Sequence, residues 1–382
     1  MTSSEMPPGP KIKQWFIDTR PLWPVPKQAK SQDEVAALRT VASKELSLLS
    51  EAEQKSVLRY YHIRDAKTKL ASHLLKHFAI TKYGGVTWSE SSISRGEKGK
   101  PFFIPPNNPP PPSSQDLNVS TTTPTAATRL DFNVSHQAGI VSLIAAIGHS
   151  SPIDVGTDVV CVNERQKMDY SSIDRDGFFA WVDMHGDVFA STELSEMRLK
   201  PVPVDLRVRG AKLSGYGMDA ISRCQWRGKV LSVKAVGRDG EDLEVRVESE
   251  RVVEGKVRRF YAWWCVREAY VKMTGEGFAA TWLKELEILG VEAPEPGVGV
   301  VEGEGEGEGE GDLWEGEVKR EFRMAFEGRE VKDVKLELTA LGEQYMIAGA
   351  VRVPQGVESV KMGSWVQLDL KDILQLAESS NR

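Results

Sequence analysis

Residues 260–277 read FYAWWCVREAYVKMTGEG, and this stretch decides how the chain is built. An α-helix advances about 100° per residue, so Trp264, Glu268 and Lys272 fall at i, i+4 and i+8 on one face. Trp263, Val266, Tyr270 and Met273 occupy another face and form an apolar stripe. The helix seats itself through that stripe and presents a carboxylate and an amine to something other than the core. The glycines of TGEG, 274–277, are those expected past a C-cap and are read as a helix end, not as a phosphate loop.

The rest of the chain supplies possible partners for that face. LSEAEQKSVLRYY opens with Ser50 and Glu53 at capping-box spacing, a helix start. RDAKTKLASHLLKHFAI repeats Ala66, Leu70, Leu74 and Phe78 at helical spacing, with Lys67 and other polar groups on the opposite face. Trp15, Phe16 and Ile17 mark a short early strand closed by a proline turn, and AGIVSLIAAIG and IDVGTDVV read as consecutive strands around the turn HSSP. A junction between two lobes is expected near Ser150. Residues 101–129 are too rich in Pro, Ser, Thr and Asn for a regular element. The segment from Ser195 to Arg258, with KVLSVKAV and LEVRVESERVV, reads as an antiparallel excursion. The Gly-Glu tract at 297–311 is a linker or insertion, and VKLELTAL and YMIAGAVRV return to strand patterning. Helices among separated strands without regular βαβ units predict an α+β fold.

Composition bounds the function. The 382 residues are 40% hydrophobic and 27% charged, with a formal charge of -6, so there is no overall basic footprint for nucleic acid. The three cysteines, Cys161, Cys224 and Cys265, are widely spaced, which argues against a disulfide framework or a structural zinc site. No signal-like leader and no apolar run of membrane-spanning length is visible. A cytoplasmic protein without a membrane partner is expected.

Three pieces besides the helix carry chemistry. SRGEKGKPFF sets Arg95, Lys98 and Lys100 in a glycine-containing loop able to cradle phosphate, or simply to be solvated. FNVSHQ puts Ser135, His136 and Gln137 directly before an apolar strand. Adjacent strand side chains point to opposite faces, which rejects a Ser-His nucleophile pair. Anion binding through Ser135 and His136 is the functional alternative to a structural histidine. VGTDVV ends an apolar strand with Asp158. Brought together with Glu268, it would suit an octahedral oxygen-ligated ion such as Mg²⁺; held apart, the two are a capping aspartate and a surface glutamate.

In order, KGKPFF (98–103), FNVSHQ (132–137), VGTDVV (155–160) and WCVREAYVKMTGEG (264–277) resemble the 4′-phosphopantetheinyl transferases of the surfactin-synthetase type, in particular their larger eukaryotic members. The resemblance spans Trp15 to Phe278 and is thinner beyond the Gly-Glu tract. It implies a pseudo-twofold monomer of two similar α+β lobes, residues 12–152 and 153–293 with the insertion at about 195–258, and coenzyme A in the cleft between them. Residues 294–312 would be the linker, and 313–382 would complete the second lobe. The activity implied is transfer of the phosphopantetheine arm to a serine of an apo acyl or peptidyl carrier domain, releasing adenosine 3′,5′-bisphosphate. The carriers would belong to fatty acid, polyketide, nonribosomal peptide and aminoadipate-reducing enzymes. By the same resemblance Asp158 and Glu268 match the Mg²⁺ carboxylates, and Lys272 the lysine of W-x-x-[KR]-E-[AS]-[YF]-x-K. Lys98 and Lys100 match the phosphate-side loop, Ser135 and His136 the coenzyme A phosphate pair, and Lys67 a basic residue of the first-lobe helix. Many bacterial members carry a second carboxylate two residues after the aspartate, where this chain has Val160. Either water or Gln137 would then complete the metal shell. A non-catalytic carrier-binding paralogue and a metal-dependent phosphodiesterase are the competing functions.

Overall fold

The computed structural model describes residues 10–27, 30–95, 99–103, 129–149, 153–297, 313–353 and 360–381. The Pro/Ser/Thr-rich stretch after Phe103, the HSSP turn with the junction near Ser150, most of the Gly-Glu tract and Lys98 lie outside the described residues.

Strand β1 (Lys11–Asp18) runs through Trp15–Ile17 and pairs antiparallel with a later strand. Helix α1 (Glu51–Leu58) starts with the expected capping box: the Ser50 hydroxyl accepts from Glu53 N, and the Glu53 carboxylate accepts from Ser50 N at 3.1 Å. Helix α2 (Ile63–Gly84) ends at Gly85, whose φ of 68° is the left-handed cap. Much of its polar face is covered. Thr68, Ser72, His73, Lys76 and His77 are buried along with Leu70 and Leu74, because α1 lies over them and Glu53 reaches His73 and His77.

Strands β2 (Ser94–Arg95), β3 (Pro101–Phe103), β4 (Arg129–Gln137) and β5 (Ile140–His149) complete most of the first sheet. Ser135, His136 and Gln137 are thus part of a strand in their own right, not its entrance. The β4–β5 turn uses Ala138 at φ 46° and Gly139 at φ 88°, the paired left-handed residues of a two-residue hairpin. On β5 every side chain from Ile140 to Ile147 is buried. Val141, Leu143, Ala145 and Ile147 pack with α2, while Ile140, Ile144 and Ala146 pack the other way.

What they meet is a second sheet. Strand β6 (Asp154–Cys161) sends Val155, Val159 and Cys161 against the first sheet, and by strand alternation Gly156, Asp158 and Val160 to the opposite side. In the segment from Ser195 to Arg258, the expected antiparallel excursion is only part of what forms. Helix α3 (Ser191–Leu199) overlaps its start, and strands β7 (Lys212–Leu213), β8 (Val230–Val236) and β9 (Asp242–Glu248) flank helix α4 (Gly215–Arg223). Residues 249–258, read as strand-like, begin helix α5 (Ser249–Thr274). Val252, Val253 and Val257 on its buried side supply the apolar spacing of a helix.

Strands β10 (Leu286–Leu289), β11 (Glu315–Lys319), β12 (Arg323–Phe326), β13 (Arg329–Glu330), β14 (Val334–Leu341) and β15 (Tyr345–Arg352) follow. The second sheet runs β11-β14-β15-β6, and β10-β12-β13 forms a small separate one. Strand β16 (Val366–Gln367) and helix α6 (Leu370–Ser380) depart from the expected assignment of 313–382 to the second lobe. β16 pairs parallel with β1, and Ile373 and Ala377 of α6 join the core under α2. The fold is α+β, layered as α2, first sheet, second sheet and α5, and every strand pair among the described residues except β1–β16 is antiparallel.

Helix α5 lies on the second sheet at Gly156. A Cβ there would stand 2.1 Å from the Ala269 carbonyl oxygen and 2.4 Å from the Met273 nitrogen. Both are helix backbone and cannot rotate away, so only glycine fits. Gly156→Ala is expected to destabilise by about 1–3 kcal/mol and to lower the thermal midpoint by several degrees. An unchanged midpoint in thermal unfolding would refute the close-approach role.

Candidate active site

β6 is an edge strand, and β4 satisfies its open side with polar side chains. Asp131 Oδ2 accepts from Ile153 N at 3.1 Å, and Asn133 Oδ1 from Thr157 N at 3.1 Å. The next residue on that face, Ser135, donates its hydroxyl to Asp158 Oδ1 at 2.8 Å. Lys272 of α5 donates to the same Oδ1 at 2.6 Å and to Ser135 Oγ at 2.7 Å. The structure therefore brings Ser135, Asp158 and Lys272 into one hydrogen-bonded triangle. Glu268, one turn before Lys272 on the same face, completes the group electrostatically.

The charges there do not balance. Two carboxylates face one ammonium, and no described residue hydrogen-bonds Glu268. Burial, then the charge of Asp158, push the Glu268 carboxyl up to about 7 against the opposing pull of Lys272. For Lys272 burial works downward, but Asp158 and Glu268 outweigh it and its pKa is raised. Below Glu268, Cys265 is fully buried with its thiol pKa raised, first by that burial.

A divalent cation suits this donor set. No group of three or more His, Cys, Asp or Glu able to hold a metal occurs among the described residues, so two carboxylates would be its charged ligands. That is the usual provision for Mg²⁺, which keeps water and takes substrate phosphate oxygens. Val160 shares the α5-facing side of β6 but is buried in the apolar core there, so no ligand could stand at its position without unpacking the core. Gln137 lies two residues beyond Ser135 on the same face of β4, its Nε2 donating to Glu164 at 2.7 Å.

Strand alternation sends His136 the other way, with Phe132, toward α2. Ser135 and His136 therefore serve different sides of β4. The His136 ring is exposed at the strand's end, yet its pKa is lowered, first by partial desolvation and then by Lys272 and Lys69. Lys67 is half-buried on α2. Lys100 Nζ donates to the Met273 carbonyl at 2.7 Å and to Asp154 at 3.1 Å, closing the last turn of α5. Arg95 Nη1 donates to the Gly99 carbonyl at 3.0 Å.

Two lysines that no motif marks lie beside His136. Lys76 is only 4% exposed, and no described residue hydrogen-bonds its ammonium. Burial, then Lys69 and Arg95, push its pKa down to about 7. Lys69 is lowered by burial, Arg95 and Arg59, with Glu53 alone opposing. Such mutual repulsion is relieved by an anion. The signal was available: Lys69, His73 and Lys76 recur at i, i+4 and i+7.

Two carboxylates with a lysine, beside a cluster of under-compensated cations, make a site whose charges a cation and an anion would each relieve. The family described as 4′-phosphopantetheinyl transferase, N-terminal, matches residues 38–148. 4′-Phosphopantetheinyl transferase 1 of Fusarium mangiferae is 34% identical over 98% of both chains. The 4′-phosphopantetheinyl transferase of Aureobasidium melanogenum is 35% identical over 94% of this chain and 95% of its own. An L-aminoadipate-semialdehyde dehydrogenase-phosphopantetheinyl transferase of Schizosaccharomyces pombe is 29% identical over 39% of this chain and 48% of its own. The chain belongs to the 4′-phosphopantetheinyl transferase family.

The raised Glu268 pKa fixes the sign of a pH effect. The folded protein keeps a proton that the unfolded chain releases near 4.5, so this group's stabilising contribution is present below 4.5 and lost as pH rises to about 7. With divalent ions chelated, wild type should lose more stability than Glu268→Gln between pH 4.5 and 7, by on the order of 1–3 kcal/mol. Parallel urea-unfolding profiles for the two proteins would contradict this.

Proposed function

We propose that this enzyme transfers the 4′-phosphopantetheine arm of coenzyme A to a serine of an apo carrier domain, in a Mg²⁺-dependent reaction that releases adenosine 3′,5′-bisphosphate. The observation that carries the reading is the convergence of Asp158, Glu268 and Lys272 from β6 and α5, beside cations opposed among the described residues chiefly by Glu53. Coenzyme A brings a diphosphate and a 3′-phosphate, which suit that excess of positive charge. In transfer, the carrier serine oxygen forms a bond to the β-phosphorus while the bond from that phosphorus to the bridging oxygen breaks, and adenosine bisphosphate departs.

Asp158 and Glu268 would hold Mg²⁺, with Gln137 or water completing its shell, and the ion would supply charge neutralisation on the diphosphate. Lys272, fixed by Asp158 and Ser135, places an ammonium against the developing negative charge. Glu268, or a water that it orients, would accept the serine proton. Lys69, Lys76 and His136, with Lys67 of α2, would hold the anionic end of coenzyme A on the α2 side of β4, with Lys98 and Lys100 at the phosphate-side loop.

The two long helices, each packed on its own sheet, support a two-lobed monomer, with lobes at 12–152 and 153–293 and coenzyme A in the cleft between them. Action in the cytoplasm on carriers of fatty acid, polyketide, nonribosomal peptide and aminoadipate-reducing enzymes is part of the proposal. The name of the Schizosaccharomyces pombe relative supports the last of these.

Intact mass spectrometry of an apo carrier after incubation with coenzyme A, Mg²⁺ and enzyme tests the reading. A gain of one phosphopantetheine arm, abolished by chelation, is expected. Glu268→Gln should slow transfer by about 10²–10⁴-fold while leaving coenzyme A affinity within a few-fold. No gain on several unrelated carriers with coenzyme A still bound would favour a non-catalytic binding protein, and free phosphopantetheine would indicate hydrolysis. Separately, Lys76→Met should weaken coenzyme A binding by about tenfold, the loss of one charge-assisted contact. Unchanged affinity in calorimetry would remove Lys76 from the site.

A further inference from the structure

Glu164 lies in the turn after β6, six residues beyond Asp158, and joins three elements. Its Oε2 accepts from Gln137 Nε2 of β4 at 2.7 Å, and its Oε1 faces Arg64 Nη1 of α2 at 3.0 Å. Both carboxylate oxygens are engaged, so the side chain is held in one orientation.

Gln137 is held from its backbone side as well. It immediately precedes the β4–β5 turn, where Tyr345 Oη donates to the Ala138 carbonyl at 2.9 Å and Thr19 donates to the Gly139 carbonyl through both its amide, at 2.8 Å, and its hydroxyl, at 2.7 Å. With the amide nitrogen committed to Glu164, the Gln137 carbonyl Oε1 is left with no donor among the described residues. Gln137 shares its strand face with Ser135, about 6.6 Å along β4, and Ser135 touches Asp158. A carboxylate that takes the nitrogen end of an amide decides which end the amide offers elsewhere.

We propose that Glu164 is a positioning residue: it fixes the Gln137 amide so that Oε1, a hard neutral oxygen, is presented to the divalent cation shared by Asp158 and Glu268. This rests on the cation-site reading above. It assigns to Glu164 a role that no motif in the chain announces. Glu164 does not itself ligate the ion, because both its oxygens are occupied by Gln137 and Arg64. Outer groups that orient a ligand typically account for about 10–100-fold in metal affinity.

The test is Mn²⁺ binding to the full chain, followed by electron paramagnetic resonance without coenzyme A or carrier. Glu164→Ala should weaken Mn²⁺ binding by about tenfold with the thermal midpoint of the metal-free protein little changed. Gln137→Ala should lose a similar factor. The double variant should lose no more than the larger single loss, since the two residues act as one unit. Glu164→Gln, whose amide oxygen still accepts from Gln137, should recover most of the affinity.

Wild-type affinity in Glu164→Ala overturns the proposal, even if its KM for a carrier domain rises. Multiplying losses in the double variant, or no recovery in Glu164→Gln, overturns it too. Asp158→Ala separates this failure from that of the underlying reading. If Asp158→Ala binds Mn²⁺ as wild type does, the cation site itself is wrong and this inference falls with it. If Asp158→Ala loses Mn²⁺ while Glu164→Ala does not, only the role of Glu164 is wrong.

Discussion

The site depends on one missing methyl group. At Gly156 the backbone of α5 rests directly on β6, closer than any side chain would permit. Two residues further along the same face of that strand stands Asp158, so the contact that sets the helix also brings Lys272 onto its carboxylate. Buried polar groups then fix the helix along its length. Arg267, fully buried, pairs with the equally buried Glu193 and donates to the Leu283 and Leu286 carbonyls. Trp263 Nε1 donates to the Ile288 carbonyl, and Lys256 Nζ to those of Ser222 and Cys224. A buried ion pair adds little net stability against an apolar replacement, but removing one partner is costly. These contacts hold α5 in one register and give part of the segment between Ser195 and Arg258 a buttressing role.

Electrostatically, the protein keeps opposite excesses on two sides of one strand. Facing α5 are two carboxylates and a single lysine. Facing α2 are lysines and a histidine opposed chiefly by Glu53, itself held ionised despite its burial by His73 and His77. Each imbalance is unfavourable alone and is relieved by a ligand of opposite charge. Strand alternation on β4 keeps the two apart: Ser135 belongs to the acidic side and His136 to the basic one. The adjacency that ruled out a nucleophile-base pair is also what sets neighbouring residues in opposite charge environments.

The legible parts of the sequence were those governed by local periodicity. Trp263, Val266, Tyr270 and Met273 marked the seat of α5, and Glu268 and Lys272 the face that meets Asp158. The capping box at Ser50 and Glu53 is present as expected. The continuous apolar run from Ile140 to Ile147 reflected burial on both faces of β5. What local pattern could not convey was the identity of distant neighbours. The polar residues of α2 gave no sign of their burial, because nothing nearby in sequence told that α1 would cover them. Residues 249–258 resembled a strand because charged residues interrupt their apolar spacing. A glycine within a strand pattern is a known sign of close approach, but VGTDVV does not say what approaches. Glu164 carried no signal at all, since its meaning comes from contacts with residues 27 and 100 positions away.

The last strand and helix impose an order on the life of the chain. β16 hydrogen-bonds beside β1, with Trp15 opposite Val366, and α6 closes the core beneath α2, where Ser380 accepts the Trp88 backbone amide at 3.2 Å. The first sheet and its helix are therefore synthesised well before the strand and helix that complete them. Until those are made the N-terminal half has an apolar flank uncovered, and the contacts that close it join residues far apart in sequence. Such long-range closure is slow to form and leaves partly folded chains prone to association. Helix α6 therefore acts as a late fastener on the first sheet and its helix.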